Sequence, residues 1–342
     1  MNDENSKKRN VSFYIDDKMI DELDREAVVK GTNRNQILLE RLKGDNKLAQ
    51  EETGKKPTIL VLASHKGGVA KTITAANLAV AFAQKGKKTL AIDLDGQGSL
   101  SEYFNVYDED AARPCIKDVL IPDYKGAIKT LAEVKVPAQY IEYDTEGNEE
   151  VYEIENLEVV PSDIRFDGAD LEISNRVKAG PDTVLSNAIE TLIEQEFYDY
   201  IIIDCPPRVD LVTTNAITSL WVGNSRSMII VPVRPDGFSR RGMISTVDAI
   251  KGVALARKSI MPRWMLLKTI YESRTNLAKI LEQSIAEVAP KAKFFNQSIG
   301  KAVVVMESSE FFKPLAYYDA DSKPWAEYKA LAKEIEEMAD GE

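Results

Sequence analysis

The sequence predicts an α/β fold, a mainly parallel sheet with helices covering both faces. One observation is a series of short, almost fully apolar segments of strand length: Thr58–Ala63, Thr89–Asp93, Leu157–Val160, Tyr200–Asp204, Met228–Val233 and Met265–Ile270. Another is helical spacing of apolar residues between several of them, in Thr72–Gln84, Thr183–Glu194 and Gly237–Ala254. Apolar strands separated by helices are typical of parallel sheets, which are buried on both sides.

Composition narrows the function classes. The 342 residues are 44% apolar, enough for a sizeable core, and carry a formal net charge of −11. Two distant cysteines, Cys115 and Cys205, exclude a disulfide scaffold and an all-cysteine zinc site, and a single histidine, His65, restricts any histidine-based chemistry to one position. The sequence has no apolar run long enough for a membrane span and no apolar segment near its start, so we expect a cytoplasmic protein.

The chain is predicted to contain two domains joined by a linker. Residues 44–56 (GDNKLAQEETGKK) are mostly polar and contain two glycines, which is typical of a flexible connection. They separate a small unit at 1–43 from the α/β region at 57–342. Within that region Gln139–Ile154 has the pattern of a hairpin, and Lys323–Ala339 has the apolar spacing of a docked terminal helix.

The strongest motif is SHKGGVAKT at 64–72, between the first apolar strand and the first helical stretch. This strand–loop–helix context is that of a phosphate-binding loop, whose backbone N–H groups and helix N-terminus face an anion. We therefore predict nucleotide binding by Lys66, Gly67, Gly68, Val69, Ala70, Lys71 and Thr72. Lys71 can reach the β- and γ-phosphates, and the Thr72 hydroxyl can bind Mg²⁺. The usual G-x-x-x-x-G-K-[ST] pattern is not met, because His65 and Ala70 replace its glycines.

Carboxylates at two further strand ends complete the predicted site. Asp93 and Asp95 lie in IDLDGQGS, and Asp204 ends YIIID. Ligands bind at the carboxyl edge of open α/β sheets, where such residues are placed. We expect Asp204 to hold Mg²⁺ directly or through water and Asp93 to support the Mg²⁺ shell. Asp95 is the better candidate for orienting an attacking water.

Taken together, these segments resemble the ParA/MinD group of deviant-Walker P-loop ATPases over roughly residues 57–340. The resemblance rests on KGGVAKT, IDLDGQGS, VVPSD, IIIDCPP, VPVRPDG, TIYESRTNL and the terminal SKPWAEYKALAKEI. It implies a weak ATPase that uses ATP and Mg²⁺ and forms an ATP-sandwich homodimer. Lys66 would reach the partner's nucleotide as a catalytic cation, and Asp95 would be required for hydrolysis. Departures are Ala70 and Gly96, where the family usually has glycine and proline, and Arg208, where a small residue is usual.

The N-terminal unit has a β-α-α pattern. Val11, Phe13 and Ile15 alternate with Asn10, Ser12 and Tyr14, and two short helical patterns follow up to Lys43. The pattern resembles ribbon–helix–helix DNA-binding domains, in which a two-stranded ribbon from a dimer enters the major groove. Asn10, Ser12 and Tyr14 would then face base edges. A plain dimerisation or docking module remains the alternative.

Charge is unevenly distributed along the chain. Residues 102–170 contain 18 acidic and 6 basic residues, whereas 263–301 contain 7 basic and 3 acidic. The family resemblance implies ATP-dependent, non-specific DNA binding through Arg274 and a basic residue near Lys301, and a centromere-binding ParB-like partner. The acidic terminus KEIEEMADGE argues against a membrane-gripping helix. A nucleotide-switched transcriptional autorepressor and a positioning ATPase for non-DNA cargo remain alternatives to DNA partition.

Overall fold

The computed structural model describes residues 56–338, apart from positions 237–238, 273, 277–279, 282, 284, 286, 288, 290 and 291. The chain divides between Gly54 and Lys55. The predicted DNA-contacting residues Asn10, Ser12 and Tyr14, with the rest of 1–43, lie outside the described residues. Their assignment to a ribbon–helix–helix-like domain stays a prediction.

In the described part of the chain, seven strands form one mainly parallel sheet, as predicted. They are β1 Thr58–Leu62, β2 Thr89–Asp93, β3 Val136–Tyr143, β4 Glu149–Val160, β5 Tyr200–Asp204, β6 Met228–Val233 and β7 Arg263–Lys268. The order across the sheet is β3-β4-β2-β5-β1-β6-β7, and every neighbouring pair is parallel except β3 and β4, which form the predicted hairpin. β1 and β5 therefore lie at the centre of the sheet, and their carboxyl ends are adjacent.

Helices cover both faces of the sheet, because alternate strand residues point to opposite sides. The helices are α1 Lys71–Ala83, α2 Ser99–Tyr103, α3 Ile116–Leu120, α4 Leu131–Val134, α5 Ala169–Arg176, α6 Val184–Ile193, α7 Leu211–Ser219, α8 Ser239–Ala256, α9 Val303–Glu310, α10 Leu315–Tyr318 and α11 Lys323–Glu337. Leu60 and Leu62 pack in the same core as α1 and α11. Ile59 and Val61 pack in the other core with α6, α7 and α8.

Three strands differ from their predicted bounds. β1 ends at Leu62 instead of Ala63. β4 begins at Glu149 instead of Leu157, since the second arm of the hairpin continues without a break into the parallel sheet. β7 runs from Arg263 to Lys268 instead of Met265 to Ile270. Ile270 has φ +50°, a left-handed conformation that cannot extend a strand.

The terminal helix α11 docks as predicted. The buried residues on its apolar face are Trp325, Tyr328, Leu331, Ala332 and Ile335. The Tyr328 and Thr74 hydroxyl oxygens lie 3.3 Å apart, which places α11 directly against α1. Among the described residues no helix is both long and apolar enough to cross a bilayer.

Candidate nucleotide-binding site

The loop at 64–72 connects β1 to α1 at the carboxyl edge of the sheet, as the motif predicts. Gly67 and Gly68 are exposed, whereas Val69 and Lys71 are buried. Ala70 is the N-cap residue of α1, and no side chain caps its first turn. Four backbone N–H groups at a helix start lack partners within the helix, so the loop presents donors to an anion.

Two hydrogen bonds connect this loop to neighbouring elements. The Thr269 hydroxyl, just beyond β7, donates to the Val69 carbonyl at 3.0 Å. The His65 N–H donates to Oγ1 of Thr246 on α8 at 3.0 Å. These two hydrogen bonds connect the phosphate loop to the segment after β7 and to α8.

Ala70 adopts a left-handed conformation, with φ +61° and ψ +36°. The left-handed backbone conformation disfavours residues that have a Cβ. This preference accounts for the glycine that deviant-Walker ATPases usually have at this position. The Thr74 hydroxyl donates to the Ala70 carbonyl at 2.6 Å and helps to hold the cap. The departure noted in the sequence is therefore a strained residue at the phosphate loop.

Lys71 begins α1 and is only 8% exposed. Its Nζ lies 3.4 Å from the Lys66 carbonyl oxygen, so the ammonium folds back across the loop. The same ammonium is close enough to Asp204, at the end of β5, to oppose the rise in the pKa of that carboxyl. Lys71 is thus positioned between the loop backbone and the strand-end carboxylate.

The carboxyl of Asp204 is buried at the end of β5. The residue is 1% exposed, and neither Oδ1 nor Oδ2 has a hydrogen-bond partner among the described residues. Burial, together with the nearby charge of Asp93, raises the pKa of Asp204 to about 8, although Thr72 and Lys71 oppose the shift. A buried carboxylate with free oxygens beside a threonine hydroxyl fits a hard divalent cation.

Asp93, in contrast, is fully engaged within the protein. Its Oδ1 accepts from the Asp95 N–H at 3.0 Å, and its Oδ2 accepts from the N–H and the hydroxyl of Ser101 at 3.0 and 2.8 Å. Complete burial nevertheless raises the pKa of Asp93 to about 7. The carboxyl therefore holds the loop from Asp95 to Ser101 in place.

Asp95 lies beyond the end of β2 and is half-buried. Its Oδ1 accepts from the Gln97 N–H at 3.1 Å, and its charge raises the pKa of both Asp93 and Asp204. The three predicted acids are thus near one another. No group of three or more His, Cys, Asp and Glu in the described part of the chain forms a metal cage. Mg²⁺ is commonly held by one or two carboxylates together with phosphate and water ligands.

Gly96 explains another departure from the family pattern. A Cβ at this position would lie 2.7 Å from the backbone N of Asp167 and 2.9 Å from its Cα. The chain after β4 thus passes directly over the loop that carries Asp95. Glycine leaves room for this close approach.

Two residues at the site received no predicted role. Asp236, after β6, accepts a hydrogen bond from Nζ of Lys66 and another, at 2.6 Å, from Nε of Arg234. Nη1 of Arg234 also donates to the Gly68 carbonyl at 3.1 Å. Their segment, VPVRPDG, carried part of the family resemblance, but Asp236 lies 170 positions from Lys66, so sequence spacing could not connect them.

The predicted DNA-contacting cations of this region lie in two neighbouring segments beyond β7. Arg274 and Lys301 are exposed. A bridge between Tyr271 and Gly300 brings their two segments side by side, and Nζ of Lys301 lies 3.8 Å from Oε1 of Glu272. The sheet order places this edge two strands from β1 and the phosphate loop.

Known proteins of similar structure share this fold. A Cyanothece McdA–ATP complex matches with a TM-score of 0.64 at 18% identity, over 84% of this chain and 98% of that one. A putative plasmid partition protein from Borrelia burgdorferi bound to AMPPNP matches at 0.59 and 22%, over 82% and 98%. Cobyrinic acid a,c-diamide synthase from Mycobacterium smegmatis with bound ATP analog and magnesium matches at 0.60 and 24%, over 81% and 93%. These likenesses show the fold alone.

Sequence comparison is more specific. The model of a family of AAA domains, AAA_31, matches residues 57–261. The sporulation initiation inhibitor protein Soj of Bacillus subtilis is 30% identical over 285 residues, covering 81% of this chain and 97% of Soj. The chromosome partitioning protein ParA of Myxococcus xanthus is 29% identical over 279 residues, covering 81% and 87%. The chain therefore belongs to the AAA_31 family of AAA domains and is a homologue of the Soj and ParA proteins.

Proposed function

We propose that the protein is an ATP-dependent DNA partition ATPase, which converts ATP and water to ADP and phosphate at a low intrinsic rate. The observation that carries this proposal is the phosphate loop at 64–72 beside Asp204, a buried carboxylate without a hydrogen-bond partner among the described residues. The similarity to partitioning proteins over four-fifths of the chain supports partition over the metabolic roles that share the fold.

ATP and Mg²⁺ fit the residues of this site. The N–H groups of the loop and the start of α1 would bind the phosphates, and Lys71 would neutralise their charge. Thr72 and Asp204 would hold Mg²⁺, which stabilises charge on the phosphate oxygens when bound. Asp93 would act indirectly, because its hydrogen bonds to Asp95 and Ser101 keep the neighbouring loop in position.

Hydrolysis would require Asp95 and a second protomer. The partly exposed Asp95 carboxylate is available to accept a hydrogen bond from an attacking water and orient it. Lys66 would approach the nucleotide of the partner in an ATP-sandwich homodimer and compensate developing negative charge. A centromere-binding ParB-like partner would stimulate this slow reaction.

DNA would be bound at two places. Arg274 and Lys301 would contact phosphates without sequence preference, once dimerisation aligns the two copies. The unit at 1–43 would bind a specific site through Asn10, Ser12 and Tyr14, with residues 44–56 as linker to the ATPase domain at 57–342. The ATP-bound dimer would then act on DNA of the nucleoid in the cytoplasm.

The experiment is DNA binding by the full chain, measured by fluorescence anisotropy on random duplex and on DNA from upstream of the gene. With Mg·ATP we expect tight, salt-sensitive binding to random duplex, and with ADP we expect at least about tenfold weaker binding. Deletion of residues 1–43 should abolish preference for the upstream DNA and leave the ATP-dependent binding. Nucleotide-independent binding to random duplex would contradict the partition proposal.

The same assay separates the autorepressor alternative. A repressor that uses the ATPase fold only to control dimerisation would bind the upstream DNA in response to nucleotide and would leave random duplex unbound. A positioning ATPase for other cargo would still bind random duplex, so a second assay is needed for that alternative. Lys71→Ala should increase plasmid loss if the protein partitions DNA, and should leave plasmid loss unchanged if it positions another cargo.

A further inference from the structure

Lys66 is held within its own chain by an acid shared with an arginine. Nζ of Lys66 donates to Oδ2 of Asp236, and Nε of Arg234 donates to the same oxygen at 2.6 Å. The side chains of Lys66 and Asp236 are 22% and 18% exposed, so the pair is largely withdrawn from water. Hydrogen bonds between ionised groups are stronger than those between neutral groups.

We infer that the Arg234–Asp236 pair is a holding site for Lys66, which retains the lysine in its own protomer and opposes dimerisation until a nucleotide phosphate replaces Asp236. The inference rests on the proposed function, in which Lys66 reaches the nucleotide of the partner protomer. The position beside Asp236, within its own protomer, competes with that role. Asp236 and Arg234 are positioning residues in this account.

The shared acid lowers the cost of releasing Lys66. If Lys66 were the sole partner of Asp236, its departure would leave a poorly solvated carboxylate uncompensated, at considerable cost. Arg234 stays bound to Asp236 through Nε after Lys66 leaves. A phosphate group with more than one negative charge can then compete for the ammonium.

The holding site is also coupled to the phosphate loop. Nη1 of Arg234 donates to the Gly68 carbonyl at 3.1 Å, so the guanidinium joins Asp236 to the loop that would receive nucleotide. On the other side, a Cβ at Gly242 of α8 would lie 3.2 Å from Cβ of Lys66. The lysine stem therefore passes close to the helix backbone, which limits where its ammonium can rest.

The first measurement tests the pairing itself, in the full-length protein without nucleotide. Pulsed acylation with an amine reagent, read at Lys66 by mass spectrometry, should be slow in the wild type and about three- to tenfold faster in Asp236→Asn, because the paired ammonium is protonated and shielded. Asp248→Asn is the matched control, since Asp248 is an exposed acid on α8 that pairs with Lys251. Equal labelling of Lys66 in wild type and Asp236→Asn would overturn the inference.

The second measurement tests the effect on assembly. Analytical ultracentrifugation with Mg·ATP in an Asp95→Ala background, which avoids turnover, should show dimerisation about three- to tenfold tighter for Asp236→Asn. In a Lys66→Gln background the same substitution should change nothing, because there is no ammonium to release. A merely structural role of Asp236 would give the same change in both backgrounds, or weaker dimerisation, and would overturn the inference.

The outcomes distinguish this inference from the proposed function. If Asp95→Ala protein with Asp236 intact remains monomeric with Mg·ATP, the dimer proposal fails, and the holding role falls with it. If it dimerises but Asp236→Asn does so no more tightly, only the holding role fails. Faster labelling together with tighter, Lys66-dependent dimerisation supports both.

Discussion

Asp93 and Asp204 are register partners on the adjacent parallel strands β2 and β5, and both carboxyls are buried at the same edge of the sheet. One is saturated by hydrogen bonds from Asp95 and Ser101, whereas the other has none among the described residues. The two aspartates therefore differ in role. Asp93 holds the neighbouring loop, whereas the Asp204 carboxyl is available to a cation.

This pair makes the stability of the nucleotide-free protein depend on pH. The pKa values of Asp93 and Asp204 in the folded chain, about 7 and about 8, lie above their ordinary value of 3.8. The folded state therefore binds more protons than the unfolded state between these limits, and the free energy of unfolding falls as the pH rises from about 4 to about 8. Below about pH 4 both states are protonated at these two acids, and their contribution no longer changes.

Asp204→Asn should remove much of that dependence, because asparagine cannot ionise. We expect the loss of stability between pH 5 and pH 8 to shrink by on the order of 2 kcal/mol. Urea unfolding of nucleotide-free protein at several pH values measures it, with Asp248→Asn as the exposed control. Identical pH profiles for wild type and Asp204→Asn would contradict a buried, proton-binding Asp204.

Asp95→Ala should separate nucleotide binding from hydrolysis. The substitution removes the carboxylate proposed to orient water but leaves Lys71, Thr72 and Asp204 in place. We expect ATP-dependent dimers to form while phosphate release falls by about 100-fold or more. Asp110→Ala, at an exposed acid in the following loop, should retain normal release; normal release by Asp95→Ala would remove the proposed role.

Ala70→Gly should stabilise the protein despite the usual cost of glycine near a helix. Ala70 has φ +61°, and a Cβ in this conformation costs about 1 kcal/mol or more. Thermal unfolding should show a higher midpoint for Ala70→Gly and a lower one for Ala81→Gly, a buried position inside α1. A lower midpoint for Ala70→Gly would mean that the cap is not strained.

Gly96→Ala should destabilise the protein, by about 1–3 kcal/mol, because the added Cβ would meet the backbone of Asp167. Gly252→Ala is the opposite case. Gly252 lies exposed within α8, and a Cβ added there would meet no neighbouring group within 4 Å, so alanine should stabilise the helix by about 0.5–1 kcal/mol. Denaturant midpoints of the two variants should therefore move in opposite directions, and a shift in the same direction would refute the close contact at Gly96.

The local sequence pattern was sufficient to predict most strands of the sheet and the position of the phosphate loop. β2, β5 and β6 have the predicted bounds, because each is a compact apolar run that ends at, or is flanked by, polar residues. The acids at the ends of β2 and β5 could be placed at one edge because parallel strands align their carboxyl ends.

Contacts between distant segments could not be predicted in the same way. The bonds from Ser101 to Asp93 and from Lys66 to Asp236 depend on how loops fold over the sheet edge. The reason for Gly96 is also tertiary, since Asp167 approaches it from a different strand connection. The end of β7 depends on the left-handed backbone at Ile270, which an apolar run does not reveal.

The central claim is that residues 64–72 bind ATP through Lys71, and calorimetric titration with Mg·ATP tests it most directly. The wild-type chain should bind, and Lys71→Ala should lose at least about 100-fold in affinity, because the ammonium that neutralises the phosphates is removed. Lys87→Ala, at a half-buried lysine just before the amino end of β2, should bind like the wild type. Unchanged affinity in Lys71→Ala would contradict the account.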